Sequence, residues 1–246
     1  MARTNKKKVQ VENRKRHREF LKKREKSDLG LRSEPTLERK TANIPEKKTF
    51  LVICEGRNTE PSYFNRFKLK SLSIKALGEG YNTKSLVERA IAIVKKESLK
   101  GNTFDEVWCV FDKDSFSNSS FNEAISLALE NDMKIGYSNQ CFEYWLFLHF
   151  NDHQGGRMNR KECAKKLNVH LSEYNIKYEC DKSKIVNKDF FELMLAKEKS
   201  TDKKTRVEKA IMRAEAINKK LDNKNPALEE SSTKVYLLVR EIIKDI

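Results

Sequence analysis

The sequence predicts an α/β fold: a parallel sheet flanked by helices, followed by a mainly helical C-terminal extension and preceded by a basic, largely disordered N-terminal tail. Three observations carry this expectation. Short apolar runs at Phe50 to Cys54, Ser73 to Leu77, Glu106 to Phe111 and Lys134 to Tyr137 alternate with helical patterns, as in parallel sheets covered on both faces. After residue 150 only helical patterns follow. Before residue 47, lysine and arginine crowd a segment with too few large apolar side chains to build a core.

The tail, residues 1–46, is the most polarised part of the chain. Of a net charge of +15, residues 1–48 supply 17 Lys/Arg against 7 Asp/Glu, leaving 34 against 29 for the remainder. Lys6, Lys7, Lys8, Arg14, Lys15, Arg16, Lys22, Lys23 and Arg24 are therefore the candidate contacts to nucleic acid, through a salt-dependent attraction to the phosphate backbone. A helix across Val9 to Lys26 can order on a partner, and a solvated, nonspecific tail is the plainer alternative.

In residues 47–150 each element has a local reason. Phe50 to Cys54 is a buried-type strand. Thr59 and Pro61 suit a helix start, with Tyr63, Phe64 and Phe67 at helical spacing behind them. Thr83 caps a helix to about Ser98, in which Leu86, Ala90, Ile91 and Val94 keep the 3.6-residue period. A strand at Glu106 to Phe111, a helix at Phe121 to Glu130 and a strand at Lys134 to Tyr137 follow. Cys141 to Phe150 is apolar nearly all round and reads as a buried helix.

Gly155-Gly156 breaks the chain, and helices are expected in residues 151–246 at Arg160 to Asn168, Asp189 to Leu195, Thr205 to Leu221 and Ser232 to Ile246. Five dispersed cysteines without C-x-x-C spacing argue against structural zinc and for a reducing cytoplasm. No apolar stretch reaches the ~18 residues of a membrane span, and the N-terminus lacks the apolar region of a secretory signal. A cytoplasmic protein with no membrane partner is the expectation.

Chemistry is expected where strands end. Asp112 and Asp114 close the run Val107-Trp108-Cys109-Val110-Phe111, and residues two apart on a strand point the same way, about 7 Å apart along the backbone. Glu55-Gly56 closes the first strand at the edge where open α/β sheets hold ligands. The three acids suit a hard cation, Mg²⁺ or Mn²⁺, with Glu55 either completing the site or acting as acid/base. Glu143, beside Phe142, Tyr144 and Trp145, is costly to bury unless a metal, a basic side chain or the helix N-terminus partners it, near an Asn139 cap. Lys182 and Lys184 can neutralise charge in a phosphoryl-transfer transition state or line a solvated loop. His149 is expected to satisfy a buried hydrogen bond or lie behind the acids; a zinc pair with His153 is not expected.

The order strand-Glu-Gly, helix, strand, helix, strand-Asp-x-Asp is similar to the TOPRIM metal-binding domain. More closely, Glu55-Gly56-x-x-Thr59-Glu60-Pro61-x-Tyr63-Phe64, Phe111-Asp112-Lys113-Asp114, and Ser138-Asn139-x-Cys141-Phe142-Glu143-x-Trp145-Leu146-x-Leu148-His149-Phe150 resemble the RloB-like family, with weaker echoes at Asn225-Pro226 and Ser232-Thr233. Asn139-Gln140-Cys141 departs from the family's Asn-Pro-x form. The resemblance implies a TOPRIM-like domain over residues 47–150, related to OLD-like nucleases, working with a separately encoded RloA-like ATPase in antiphage defence. It makes Glu55 the TOPRIM glutamate and Asp112 and Asp114 its metal ligands. Thr59, Glu60, Ser232 and Thr233 become family-pattern residues that also read as caps.

The leading expectation is metal-dependent phosphodiester cleavage of DNA or RNA, transfer RNA included, with Glu143 available to a second metal. A phospho-acceptor enzyme is disfavoured, because its nucleophile belongs where this chain has Glu55. A nonenzymatic nucleic-acid adaptor or scaffold of an ATPase complex is the alternative from another class. No G-x-x-x-x-G-K-[ST] is present, so ATP hydrolysis falls to a partner, and homo- or hetero-oligomeric assembly is left open.

Overall fold

The computed structural model describes residues 12–23, 47–80, 82–153, 156–199, 201–222 and 224–244. Residues 12–23 form a helix, α1, exposed along its length, inside the segment read as helix-forming. Arg14, Lys15, Arg16, Lys22 and Lys23 lie on it. Lys6, Lys7, Lys8 and Arg24 lie outside the described residues, as does the rest of the tail expected to be disordered.

Pro45–Ile246 is one compact unit. Its centre is a parallel sheet in the order β2-β1-β3-β4, from β1 (Lys48–Cys54), β2 (Leu72–Gly78), β3 (Glu106–Val110) and β4 (Lys134–Ile135). The predicted α/β class holds. Alternate residues of β1 and β3 enter two cores, as the two-residue strand period requires. Leu51, Ile53 and Cys109 pack on α3 (Thr83–Ser98) and α4 (Asn118–Glu130) through Leu86, Ala90, Phe121 and Ala124.

Phe50, Val52, Trp108 and Val110 face the other way, onto α2 (Thr59–Phe64) and α5 (Phe142–Phe147). That second core continues without interruption through α6 (Arg160–Ser172), α7 (Lys188–Leu195), α8 (Arg206–Asn218) and α9 (Val235–Ile243). The chain thus turns from alternating to helical after residue 150 while its core runs on. α5 explains why: Phe142 through Phe147 are all buried, so the helix needs partners on every side.

Several local expectations are corrected. Asn82, not Thr83, caps α3, accepting from the Ser85 amide at 3.2 Å. Asn139 caps nothing; its amide donates to the Pro226 and Ala227 carbonyls at 3.0 and 3.1 Å. The expected last helix begins at Val235, because Ser232–Thr233 (β6) pairs antiparallel with Ser138–Asn139 (β5). A two-residue pairing of polar side chains carries no periodic signal in sequence.

Candidate active site

The carboxyl edge of the sheet opens into a cleft of about 400 Å³. Glu55, Glu60, Asp112, Asp114 and Glu143 line it with Thr59, Arg160 and Lys184. Five carboxylates thus face two cationic side chains.

Register brings the first two acids together. Cys54 pairs with Val110, so β1 and β3 end level, and the Glu55 amide donates to the Val110 carbonyl at 2.9 Å. The Asp112 amide then donates to Glu55 Oε2 at 3.1 Å. Gly56 permits the next step, because a Cβ there would run into the Glu60 carboxylate. The Gly56 amide instead donates to Glu60 Oε1 at 3.2 Å.

The Asp-x-Asp pair is not a plain strand end. Asp112 is buried, whereas Asp114 has φ +39, the left-handed region that Asp tolerates better than most residues, and its side chain is half exposed. The loop is pinned by amides of Lys113 and Asp114 donating to the Ser138 and Gln140 carbonyls at 2.8 and 3.0 Å. Residues 138–140 lead directly into α5, so the same segment that fixes the aspartates delivers Glu143.

Glu143, buried in the first turn of α5, accepts from Tyr178 Oη at 3.0 Å, and Tyr178 Oη lies 3.1 Å from Thr59 Oγ1. Thr59 therefore joins the site through a tyrosine instead of capping α2. Lys184 reaches the cleft on a loop held to α2: Asn58 donates to the Ser183 carbonyl at 3.1 Å and Arg66 to the Val186 carbonyl at 2.7 Å. Lys182 is exposed and does not line the cleft. His149 is in the aromatic core, its Nδ1 3.0 Å from the Trp145 carbonyl, and burial drives its pKa down to about 3. It is a neutral core histidine, away from the acids.

Arg160 and Tyr178 were not legible as site residues. Arg160 Nη2 lies 3.0 Å from Asp112 Oδ2 and 3.6 Å from Asp114 Oδ2, and its Nε 3.4 Å from Glu143 Oε2. In sequence it is the residue after a helix cap, Asn159, which accepts from the Glu162 amide in a capping box. That pattern announces a helix start and says nothing about where the guanidinium points.

Burial first, and neighbouring charge second, shift the titration of these groups. Burial pushes the Glu55 carboxyl up to about 7, with Glu60 and Asp114 adding to it against the Asp112 amide and Arg160. Burial likewise takes Glu60 to about 7, with Glu143 adding to it. Asp112 is raised well above its usual value by burial and then by Glu60, in spite of Arg160. Burial alone would lower the Arg160 pKa, but Asp112 and Glu143 outweigh it and the guanidinium is raised.

A family model for RloB-like proteins matches residues 50–242, which covers every residue of this cleft. The chain belongs to the RloB-like family. No curated protein sequence matches it. The family match runs through α6 to α9 as well as the sheet, in keeping with a core that the RloB-like chain continues past residue 150.

Whether a divalent cation fits is decided by the donors. Among the described residues no three His, Cys, Asp or Glu side chains close into a ready ligand set. Yet Asp112 Oδ1 is buried with no hydrogen-bond partner among the described residues, an arrangement costly for a carboxylate and relieved either by a proton or by a cation on the free oxygen. Mg²⁺ needs only one or two protein carboxylates, keeping water and substrate oxygens for the rest. The all-oxygen, net-negative donor set fits such an ion. All five cysteines are free and four are buried. No helix among the described residues is long and apolar enough to cross a membrane.

Proposed function

We propose that this cleft is the centre of a metal-dependent, TOPRIM-type nuclease that cleaves phosphodiester bonds of DNA or RNA. In this reading it acts in the cytoplasm as the effector of an RloA-like ATPase in antiphage defence, as the family resemblance implies. The observation that carries the reading is the free, buried Asp112 Oδ1 in a cleft lined by four further carboxylates.

Asp112 and Asp114 would hold Mg²⁺ or Mn²⁺, with Glu55 or Glu143 within the same cleft. When bound, the ion supplies charge to polarise the scissile phosphate and stabilise the departing oxygen. Glu55, with its carboxyl near 7, exchanges a proton close to neutral pH and suits acid/base transfer. Tyr178 orients Glu143 by donating to Oε1. Lys184 faces the cleft as a cation for the substrate backbone, and the basic residues of α1 are a second source of phosphate contacts.

The ion pairs of Arg160 favour one other reading, a nonenzymatic nucleic-acid-binding adaptor or scaffold whose acidic cluster serves as an internal ion-pair network. The test is cleavage of RNA and DNA in Mg²⁺ or Mn²⁺ by wild-type and Asp112→Asn protein, with cut ends sequenced. The variant is expected to lose more than about 100-fold, beyond the range typical of residues that merely support a ligand. An unchanged rate overturns the nuclease assignment, and tight nucleic-acid binding without metal binding establishes the adaptor.

A further inference from the structure

We infer that Arg160 is a built-in counter-ion that occupies the acidic cleft in competition with the divalent cation, so that guanidinium and metal exchange. The inference rests on the metal reading above and adds what guards that site.

The guanidinium is incompletely matched, as a displaceable counter-ion would be. It approaches three carboxylates, Asp112, Asp114 and Glu143, but only its contact with Asp112 is a hydrogen bond. Its Nε is buried with no hydrogen-bond partner among the described residues. Arginine held for structure usually spends its planar fork of donors on matched acceptors, commonly in bidentate pairs. Here one donor is matched and one is stranded.

The charge balance points the same way. Arg160 alone is ion-paired with Asp112, Asp114 and Glu143, Glu55 and Glu60 share the cleft with Lys184 as its second cation, and Asp112 Oδ1 is left over. A doubly charged ion is attracted about twice as strongly at the same distance. Arg160 also has a way out, since a third of its side chain is exposed. Its backbone need not follow, because the Asn159–Glu162 capping box and the buried Cys163 and Ala164 hold the start of α6. A change of side-chain rotamer is sufficient.

The experiment is calorimetric titration of full-length protein with Mn²⁺ in the absence of nucleic acid. Arg160→Gln is expected to bind at least about tenfold more tightly than wild type, because the competing charge is gone. The double variant Arg160→Gln with Asp112→Asn is expected to lose that gain. Equal or weaker binding by Arg160→Gln overturns the inference, as does a gain that survives in the double variant. A readout on wild-type protein covers the case in which Arg160→Gln does not fold. The Arg160 Nε–H resonance should move as Mg²⁺ saturates, and a stationary resonance overturns the exchange. If wild type and Arg160→Gln bind Mn²⁺ equally while Asp112→Asn does not bind, the exchange falls and the metal site stands. If neither wild type nor Arg160→Gln binds, both fall.

Discussion

Arg160 and Arg206 begin with the same local grammar and end in opposite environments. Each is the first residue of a helix opened by a capping box, Asn159 with Glu162 for α6 and Thr205 with Glu208 for α8. Arg206 is 3% exposed and donates to the Leu193 and Lys197 carbonyls at 3.2 and 3.0 Å and to Tyr174 Oη at 2.8 Å. The rings of Phe150 and Tyr174 lie 5.7 and 5.3 Å from it. Its hydrogen-bond partners are neutral and its two Nη donors are matched. Arg160 meets carboxylates, keeps a stranded donor and touches solvent. One guanidinium ties the start of α8 to the Leu193 and Lys197 carbonyls and to Tyr174; the other stands in a cleft whose charge exceeds it.

The comparison can be broken most sharply at Arg206. Arg206→Ala strips three charge-assisted hydrogen bonds and leaves two carbonyls without their donor, so urea unfolding should show a loss on the order of 4 kcal/mol. Mn²⁺ affinity should stay at the wild-type value, and a loss below about 1 kcal/mol would show that this arginine is no more structural than Arg160.

The next effect lies in pH. A carboxyl raised from 4.5 to about 7 gives the folded protein a proton that the unfolded chain has released, so stability falls as pH rises through that window. His149 works in the opposite sense: held neutral down to about 3, it adds stability as pH climbs towards 6.5. Glu60 is therefore read as a difference. In metal-free protein Glu60→Gln should gain on wild type by on the order of 3 kcal/mol between pH 4.5 and 7.5. Chemical denaturation across that range checks it, and parallel curves would show that burial does not hold Glu60 protonated near neutral pH.

The smallest effect sharpens how Glu143 is held. Tyr178→Phe keeps the ring and removes the hydroxyl between Thr59 and Glu143, and should cost about 2 kcal/mol in urea unfolding. Thr59→Ala, which leaves the bond to Glu143 in place, should cost less. Equal costs would mean that the carboxylate draws nothing from the tyrosine.

Much of the cleft was legible because its acids sit where chain periodicity changes. Glu55 and Asp112 end apolar runs, and a run that ends on an acid marks a sheet edge. Glu143 stood out because a carboxylate inside Phe142-Glu143-Tyr144-Trp145 cannot be buried alone. Arg160 and Tyr178 were silent, since their neighbours in sequence are ordinary helix and loop residues and their partners lie 17 to 119 positions away. β6 was misread as helix for a related reason: Ser232-Thr233 precedes an apolar helical pattern, and only Ser138-Asn139, brought across from the sheet, gives it a strand to pair with.

By itself the sequence determined the elements that depend on contacts close along the chain: buried strands from apolar runs, helices from the 3.6-residue period, and acids stationed at strand ends. Tertiary structure alone decided which charges meet. The capping boxes at Asn159 and Thr205 specify helix starts through bonds three residues long, and they specify them alike. Whether the arginine that follows finds carbonyls or carboxylates depends on packing between distant elements, where burial sets how strongly each charge is felt.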